Sequence, residues 1–132
     1  MQIKDLKLCI IGLGYVGLPL ALEFSKKKTV IGFDINKSRV NQLKSGLDKN
    51  LEFNKKELQK AQQLYLTYDI DDLKLANCFI VTVPTPIKRN KSPDLKYLNG
   101  ACSIIGKILK KNDVDYELLT AGEHKRTLTM LG

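Results

Sequence analysis

Six residues near the N-terminus, Gly12-Leu13-Gly14-Tyr15-Val16-Gly17, constrain this chain more than any other feature. They satisfy G-x-G-x-x-G, a pattern that arises by chance unless its surroundings are right. Here they are right on three counts. Lys7 to Gly12 (KLCIIG) is a continuous apolar run of the kind a parallel strand buried on both faces requires. From Tyr15 to about Lys26 apolar residues recur at helical spacing, with Val16, Leu20 and Phe24 on one face and Leu18, Ala21 and Leu22 widening it. Thr29 to Asp34 (TVIGFD) then reads as a second strand ending on an acid 20 residues after Gly14, the spacing of a dinucleotide fingerprint.

Each part of that pattern has a physical task. Gly12 allows the tight turn, Gly14 lets the backbone approach a pyrophosphate, and Gly17 lets the helix pack closely on the strand. The helix N-terminus offers N–H groups and the positive end of its dipole to the phosphates. Asp34 would accept hydrogen bonds from the adenosine ribose hydroxyls, and its charge would repel a 2′-phosphate, which predicts NAD over NADP. Arg39 pulls the other way, because a nearby arginine can accommodate a 2′-phosphate; it can equally lie along the adenine or ribose. The competing reading, a plain strand-to-helix turn with a surface aspartate, leaves the context and the spacing unexplained.

The rest of the chain alternates in the same way. A helix is expected from about Lys37 to Ser45, closing at Gly46. Asn54 with Glu57 resembles a capping box and opens a third helix carrying Leu58 and Ala61. Leu64 to Thr67 is a short strand candidate, and Cys78 to Val83 (CFIVTV) a buried one ended by Pro84. Asp94 can cap a last helix with Leu98, Ala101, Cys102, Ile105, Ile108 and Leu109 on its apolar face. Pro19, early in its helix, is expected to kink it. Alternating strands and helices imply right-handed crossovers and a parallel sheet, hence an α/β fold of the Rossmann-type, doubly wound kind.

Composition narrows the function classes. The 132 residues, 43% hydrophobic and 27% charged, make one ordinary soluble domain and not a disordered chain. No stretch approaches the roughly 20 apolar residues of a membrane span, and no signal peptide is visible, because the first apolar run is a glycine-broken strand. Cys9, Cys78 and Cys102 have no metal-ligand spacing; two sit in apolar runs and read as buried thiols of a reducing cytoplasm. A net charge of +8 invites a nucleic-acid reading. The lysines, however, are scattered in small groups at expected helix ends, where the dipole favours cations, and no aromatics interleave for base stacking.

Four segments together carry a resemblance. IIGLGYVGLPLALEF, VIGFDINKSRV, FIVTVPTP and SPDLKYLNGACSIIGKILKKNDV are similar to the N-terminal domain of the UDP-glucose/GDP-mannose dehydrogenases. The branch they most resemble oxidises UDP-N-acetylhexosamines (glucosamine, galactosamine or mannosamine forms) to uronic acids for bacterial surface polysaccharides. The resemblance covers about residues 5 to 114. It implies a two-step, NAD-dependent oxidation of the sugar C6 alcohol to a carboxylate, in full-length enzymes that form homodimers. Residue by residue, it implies that Gly12, Leu13, Gly14, Tyr15, Val16 and Gly17 line the pyrophosphate and that Asp34 and Arg39 hold the adenosine side. Thr85, in the Val83-Pro84-Thr85-Pro86 turn, would approach the cofactor from the C-terminal edge of the sheet. A rigid Pro-x-Pro loop with an incidental hydroxyl competes for Thr85.

Departures from the family are equally informative. The family's second step uses a cysteine nucleophile in a G-G-x-C-x-P segment, and these 132 residues contain none. Neither Cys9, Cys78 nor Cys102 has a glycine loop or basic partner to lower its pKa, so no catalytic residue and no metal ligand is assigned. His124 has no triad context. From Asp115 onward the chain leaves the family pattern and resembles a segment of the signal-peptide-peptidase family, in which Lys125 would match the general base; with no serine module before it, a peptidase is excluded. The expected organisation is an NAD-binding Rossmann domain over 1–114, truncated, and a divergent tail over 115–132, foreign sequence from a truncation or fusion. That tail offers only a weak apolar run (DYELLTAG) and is expected to be poorly ordered or loosely docked, leaving a sticky sheet edge. Two other functions compete: a non-catalytic NAD-binding module, and, supported by charge alone, a basic nucleic-acid binder.

Overall fold

The computed structural model describes residues 6–47, 54–108, 116–120 and 127–130. Six strands, β1 Leu8–Ile11, β2 Val30–Phe33, β3 Leu64–Thr67, β4 Cys78–Val81, β5 Tyr116–Thr120 and β6 Thr127–Met130, form one sheet in the order β3-β2-β1-β4-β5-β6. Neighbours from β3 to β5 run parallel, and β6 returns antiparallel to β5. The chain winds outward from β1 through β2 to β3, then crosses back to β4 on the other side of β1. Such a reversal leaves a crevice beyond the strand C-termini, where ligands of open α/β sheets bind.

All four residues of β1, β2 and β4 are buried, which explains their continuous apolar runs. Alternation along the strands splits the core in two. Leu8, Ile10, Val30 and Ile80 pack with Leu18, Ala21 and Leu22 of α1 (Gly17–Ser25) and with Leu43 of α2 (Lys37–Lys44). Cys9, Ile11, Phe33, Phe79 and Val81 pack with Leu73 of a 3-10 helix (Ile70–Leu75) and with Ala101, Ile104 and Ile105 of α4 (Lys96–Ile108). The caps follow expectation. Asn54 Oδ1 accepts the Glu57 N–H at 2.9 Å to start α3 (Lys55–Lys60), Asp94 Oδ1 accepts from Lys96 N at 3.0 Å, and Gly46 follows α2 with φ +84°.

Three expectations are corrected. The buried face of α1 is Gly17, Leu18, Ala21, Leu22 and Ser25, whereas Val16 and Phe24 are exposed. The helix starts two residues later than the periodicity predicts, and the sheet lies against the stripe read as its margin. Pro19 is the third residue of α1, in the first turn, where a backbone nitrogen has no intrahelical partner to lose, so the reason for a kink disappears. Within the tail, Tyr116–Thr120 is not loosely docked: it is β5 and pairs with β4 at Phe79↔Leu118, Ile80↔Leu119 and Val81↔Thr120. Backbone pairing needs an open strand edge rather than a long apolar run, and β4 supplies one. Ile104 joins the apolar face of α4, which the sequence reading had not placed there. Leu109, His124 and Lys125 lie outside the described residues.

Candidate functional site

The glycine turn leaves β1 at its C-terminal end. Gly12 has φ +99°, a conformation side chains disfavour, and its N–H donates to Phe33 O at 2.8 Å, tying the turn to the end of β2. The helix beyond comes so close that a Cβ on Gly17 would lie 1.6 Å from Gly12 O. Leu13 points inward and is fully buried. Gly14, by contrast, has no atom within 4 Å of the place a Cβ would occupy, so its backbone lies open to the crevice.

Asp34 emerges from β2 beside this turn. Its Oδ2 accepts the Leu13 N–H at 3.0 Å and its Oδ1 accepts the Asn36 N–H at 2.9 Å. Asn36 caps α2 by accepting from Arg39 N at 3.1 Å, and Arg39 Nε donates back to Leu13 O at 2.9 Å. These four bonds close a ring, so Leu13 is held at its N–H by Asp34 and at its carbonyl by Arg39, the two residues read as adenosine contacts.

A cleft of about 450 Å³ opens here, lined by Gly12, Leu13, Gly14, Asp34, Ile35, Asn36 and Arg39 on one side and by Thr82, Val83, Pro84, Lys96, Tyr97 and Gly100 on the other. That volume falls in the range of about 300–1,000 Å³ usual for small-molecule sites. Of the sequence-nominated residues, Gly12, Leu13, Gly14, Asp34 and Arg39 line it. Gly17 is buried beneath the turn, while Tyr15 and Val16 are on its exposed outside. Thr85 is half-buried in the loop beyond Pro84 and does not line the cleft. A different threonine does. Buried Thr82 donates through Oγ1 to Gly12 O at 2.6 Å, and its backbone N–H donates to Ile11 O at 2.8 Å. A hydroxyl within the run CFIVTV was the available signal, since a buried polar group must find a partner. Tyr97 and Gly100 gave none: they stand four residues before Ala101 and Ile104, at the start of the apolar face of α4, and nothing in the sequence set them apart.

A dinucleotide fits this arrangement. Gly14 leaves backbone open for a pyrophosphate, and the Asp34 carboxylate, with two oxygens and one N–H on each, keeps acceptor capacity for ribose hydroxyls. The cysteines do not suit nucleophilic chemistry. Burial, with Cys78 nearby, holds the Cys9 thiol far above its ordinary range, and burial also raises Cys102. Among the described residues no group of histidine, cysteine, aspartate or glutamate could hold a metal ion, and no helix is long and apolar enough to cross a membrane.

The fold and the glycine turn define a dinucleotide-binding domain of the Rossmann kind. The sequence profile of the UDP-glucose/GDP-mannose dehydrogenase family, NAD binding domain, matches residues 6–117, and the chain belongs to that family. The UDP-N-acetyl-D-glucosamine 6-dehydrogenase of Pseudomonas aeruginosa is 55% identical over 111 residues, 84% of this chain and 26% of the relative. The enzyme of the same name from Salmonella typhi is 49% identical over 112 residues, 85% of this chain and 26% of the relative. Among solved structures, a ternary complex of GDP-mannose dehydrogenase from Pseudomonas aeruginosa superposes with a TM-score of 0.77 at 27% identity, covering 86% of this chain and 28% of that one. The chain thus spans about a quarter of the length of these relatives. What it holds is the family's NAD-binding domain.

Proposed function

We propose that these residues are the cofactor-binding portion of a nucleotide-sugar dehydrogenase that oxidises the C6 alcohol of a UDP-N-acetylhexosamine to the uronic acid, in the cytoplasm, for surface polysaccharide synthesis. The observation that carries the reading is the ring joining Leu13, Asp34, Asn36 and Arg39, which fixes an open glycine turn and a carboxylate at one cleft. Bound there, NAD supplies the hydride acceptor. The chain's own residues orient it: Gly14 with its neighbours against the pyrophosphate, Asp34 against the ribose, its charge opposing a 2′-phosphate. Arg39 Nε donates to Leu13 O, which ties its guanidinium to the glycine turn. Thr85 keeps only its place past the strand end as support for a cofactor contact.

With no G-G-x-C-x-P segment among the 132 residues, and Cys9 and Cys102 held protonated by burial, we expect cofactor binding without sugar oxidation from these residues alone. A second reading is a module that binds NAD and catalyses nothing. In either case the tail from 115, nearly all of it past the family match that ends at residue 117, is read as foreign sequence; a junction near codon 114 at the locus is expected, and an uninterrupted frame in several related strains would overturn that part. The decisive experiment is a calorimetric titration with NAD, NADP and an Asp34→Ala variant. Saturable NAD binding, weaker NADP binding and loss in the variant are expected; a folded chain that takes up neither nucleotide overturns the reading.

A further inference from the structure

Four helices lead into strands: α1 into β2, α3 into β3, the 3-10 helix into β4 and α4 toward β5. Those strands run parallel, so the four junctions gather at the strand N-termini, the end of the sheet opposite the cleft. Each junction carries lysine. Lys26, Lys27 and Lys28 follow α1, and Lys60 closes α3. Lys74 and Lys107 stand in the last turns of the 3-10 helix and of α4, and Lys7 precedes β1. Taken one at a time, a lysine at a helix C-terminus needs no reason beyond the dipole. Parallel topology collects them all on one end of the domain.

Ion pairs cancel little of that charge. Glu23 pairs with Lys26 at 2.9 Å and Asp71 with Lys74 at 3.1 Å, all four side chains being exposed. Among the described residues no carboxylate forms an ion pair with Lys7, Lys27, Lys60 or Lys107. Large apolar groups stand open beside these cations. Tyr65 in β3 is 51% exposed and Leu75, the last residue of the 3-10 helix, 64% exposed. Both line a groove with Leu6 and Ile31 whose rim carries Lys7 and Lys28.

Charge and exposed apolar groups together select the partner. The cations come from separate elements spread over a whole end of the domain, more than one bound peptide could answer, whereas an anionic lipid surface meets them all at once. Tyrosine and leucine suit the boundary between headgroups and acyl chains. We infer that this end of the domain docks on the surface of an anionic bilayer, its lysines at the lipid phosphates and Tyr65 and Leu75 at the headgroup boundary. The cleft then faces away from the lipid. Such a chain lies on the membrane, and no described helix is long and apolar enough to cross it. The inference stands apart from the cofactor reading, because face and cleft occupy opposite ends of the sheet.

The test is co-sedimentation of the full chain with vesicles of phosphatidylcholine and phosphatidylglycerol in a three-to-one ratio, beside vesicles of phosphatidylcholine alone. Binding to the anionic vesicles only, lost as salt is raised, is expected. A variant carrying Lys7→Gln, Lys27→Gln and Lys107→Gln should bind at least about tenfold more weakly, and Leu75→Ser about threefold or more. The control removes the same charge from the cleft end. Lys88→Gln, Arg89→Gln and Lys91→Gln, all exposed in the loop after Pro86, should together stay within about threefold of the parent. Thermal melting checks that each variant is folded, as substitution of exposed side chains predicts. No binding by the parent, equal binding to the neutral vesicles, or equal losses in the two triple variants overturns the inference, as does a Leu75→Ser that binds like the parent. Retention on immobilised polyglutamate without binding to vesicles assigns the face to an acidic protein and overturns it too.

Discussion

Asp34 accepts the Leu13 N–H through Oδ2 at 3.0 Å, so the acid expected to meet a ribose is also a strut of the glycine turn. The two roles are compatible because a carboxylate has about four acceptor positions and the turn, with Asn36, takes two. Cofactor recognition and loop stability are thereby coupled in one side chain.

That coupling separates two substitutions at the site. Asp34→Ala leaves the Leu13 and Asn36 N–H groups without this acceptor and is expected to cost about 1–3 kcal/mol of stability as well as NAD binding. Asp34→Asn keeps one oxygen, should lose less stability, and by removing the charge should narrow the preference for NAD over NADP. Urea denaturation read beside nucleotide titration checks both; equal stability of Asp34→Ala and the parent would show that the Leu13 bond carries no weight.

Thr82 and Gly17 form the other side of the turn. An added Cβ at Gly17 would lie 2.3 Å from Thr82 Oγ1 as well as 1.6 Å from Gly12 O, so Gly17→Ala must displace α1 or the turn. Thr82→Val preserves shape and removes the donor to Gly12 O, at an expected cost of about 1–2 kcal/mol, while Thr82→Ser should stay within about 1 kcal/mol of the parent. Denaturation midpoints of the three variants should therefore rank Ser above Val above Gly17→Ala.

Most of this fold was legible because its signals are local. KLCIIG and CFIVTV read as strands because both faces of β1 and β4 are covered, and Asn54, Asp94 and Gly46 marked helix ends through their own capping chemistry. The face of α1 was misjudged because Val16, Leu20 and Phe24 satisfy a helical period as well as the true stripe; only the placement of the sheet decides between them. Gly12, Gly14 and Asp34 could be found by spacing. Thr82, Tyr97 and Gly100 reach the cleft through the register of β4 and the docking of α4, neither of which has a sequence pattern of its own.

Cys9 gives a pH dependence of definite sign. Burial raises its folded-state pKa above the ordinary value of 9.0, so the folded chain holds a proton that the unfolded chain releases above that pH. The unfolded state then binds fewer protons, and stability falls as pH rises past about 9, by up to about 1.4 kcal/mol per pH unit from this group. Guanidinium denaturation at pH 8 and pH 10 should show a larger loss for the parent than for Cys9→Ala, since lysine and tyrosine effects are common to both. Equal losses would mean that the Cys9 thiol does not titrate in this linkage.

The pairing of β5 with β4 makes a further difference measurable. Parallel strands are joined through backbone groups alone, and β4 without β5 would present an open row of N–H and C=O beside a buried apolar strand. Deleting residues 115–132 is therefore expected to lower the melting temperature and to produce concentration-dependent light scattering. Leu119→Pro tests the same strand without changing its length. β5 is paired on both sides, with β4 at Ile80↔Leu119 and with β6 at Leu119↔Thr127, so the lost backbone donor falls inside the sheet and not at its edge. It should lower the denaturation midpoint clearly if β5 is integral. Were both changes silent, Leu118 and Leu119 would contribute nothing to the sheet, and the weak apolar character of DYELLTAG would have been the better guide to this part of the chain.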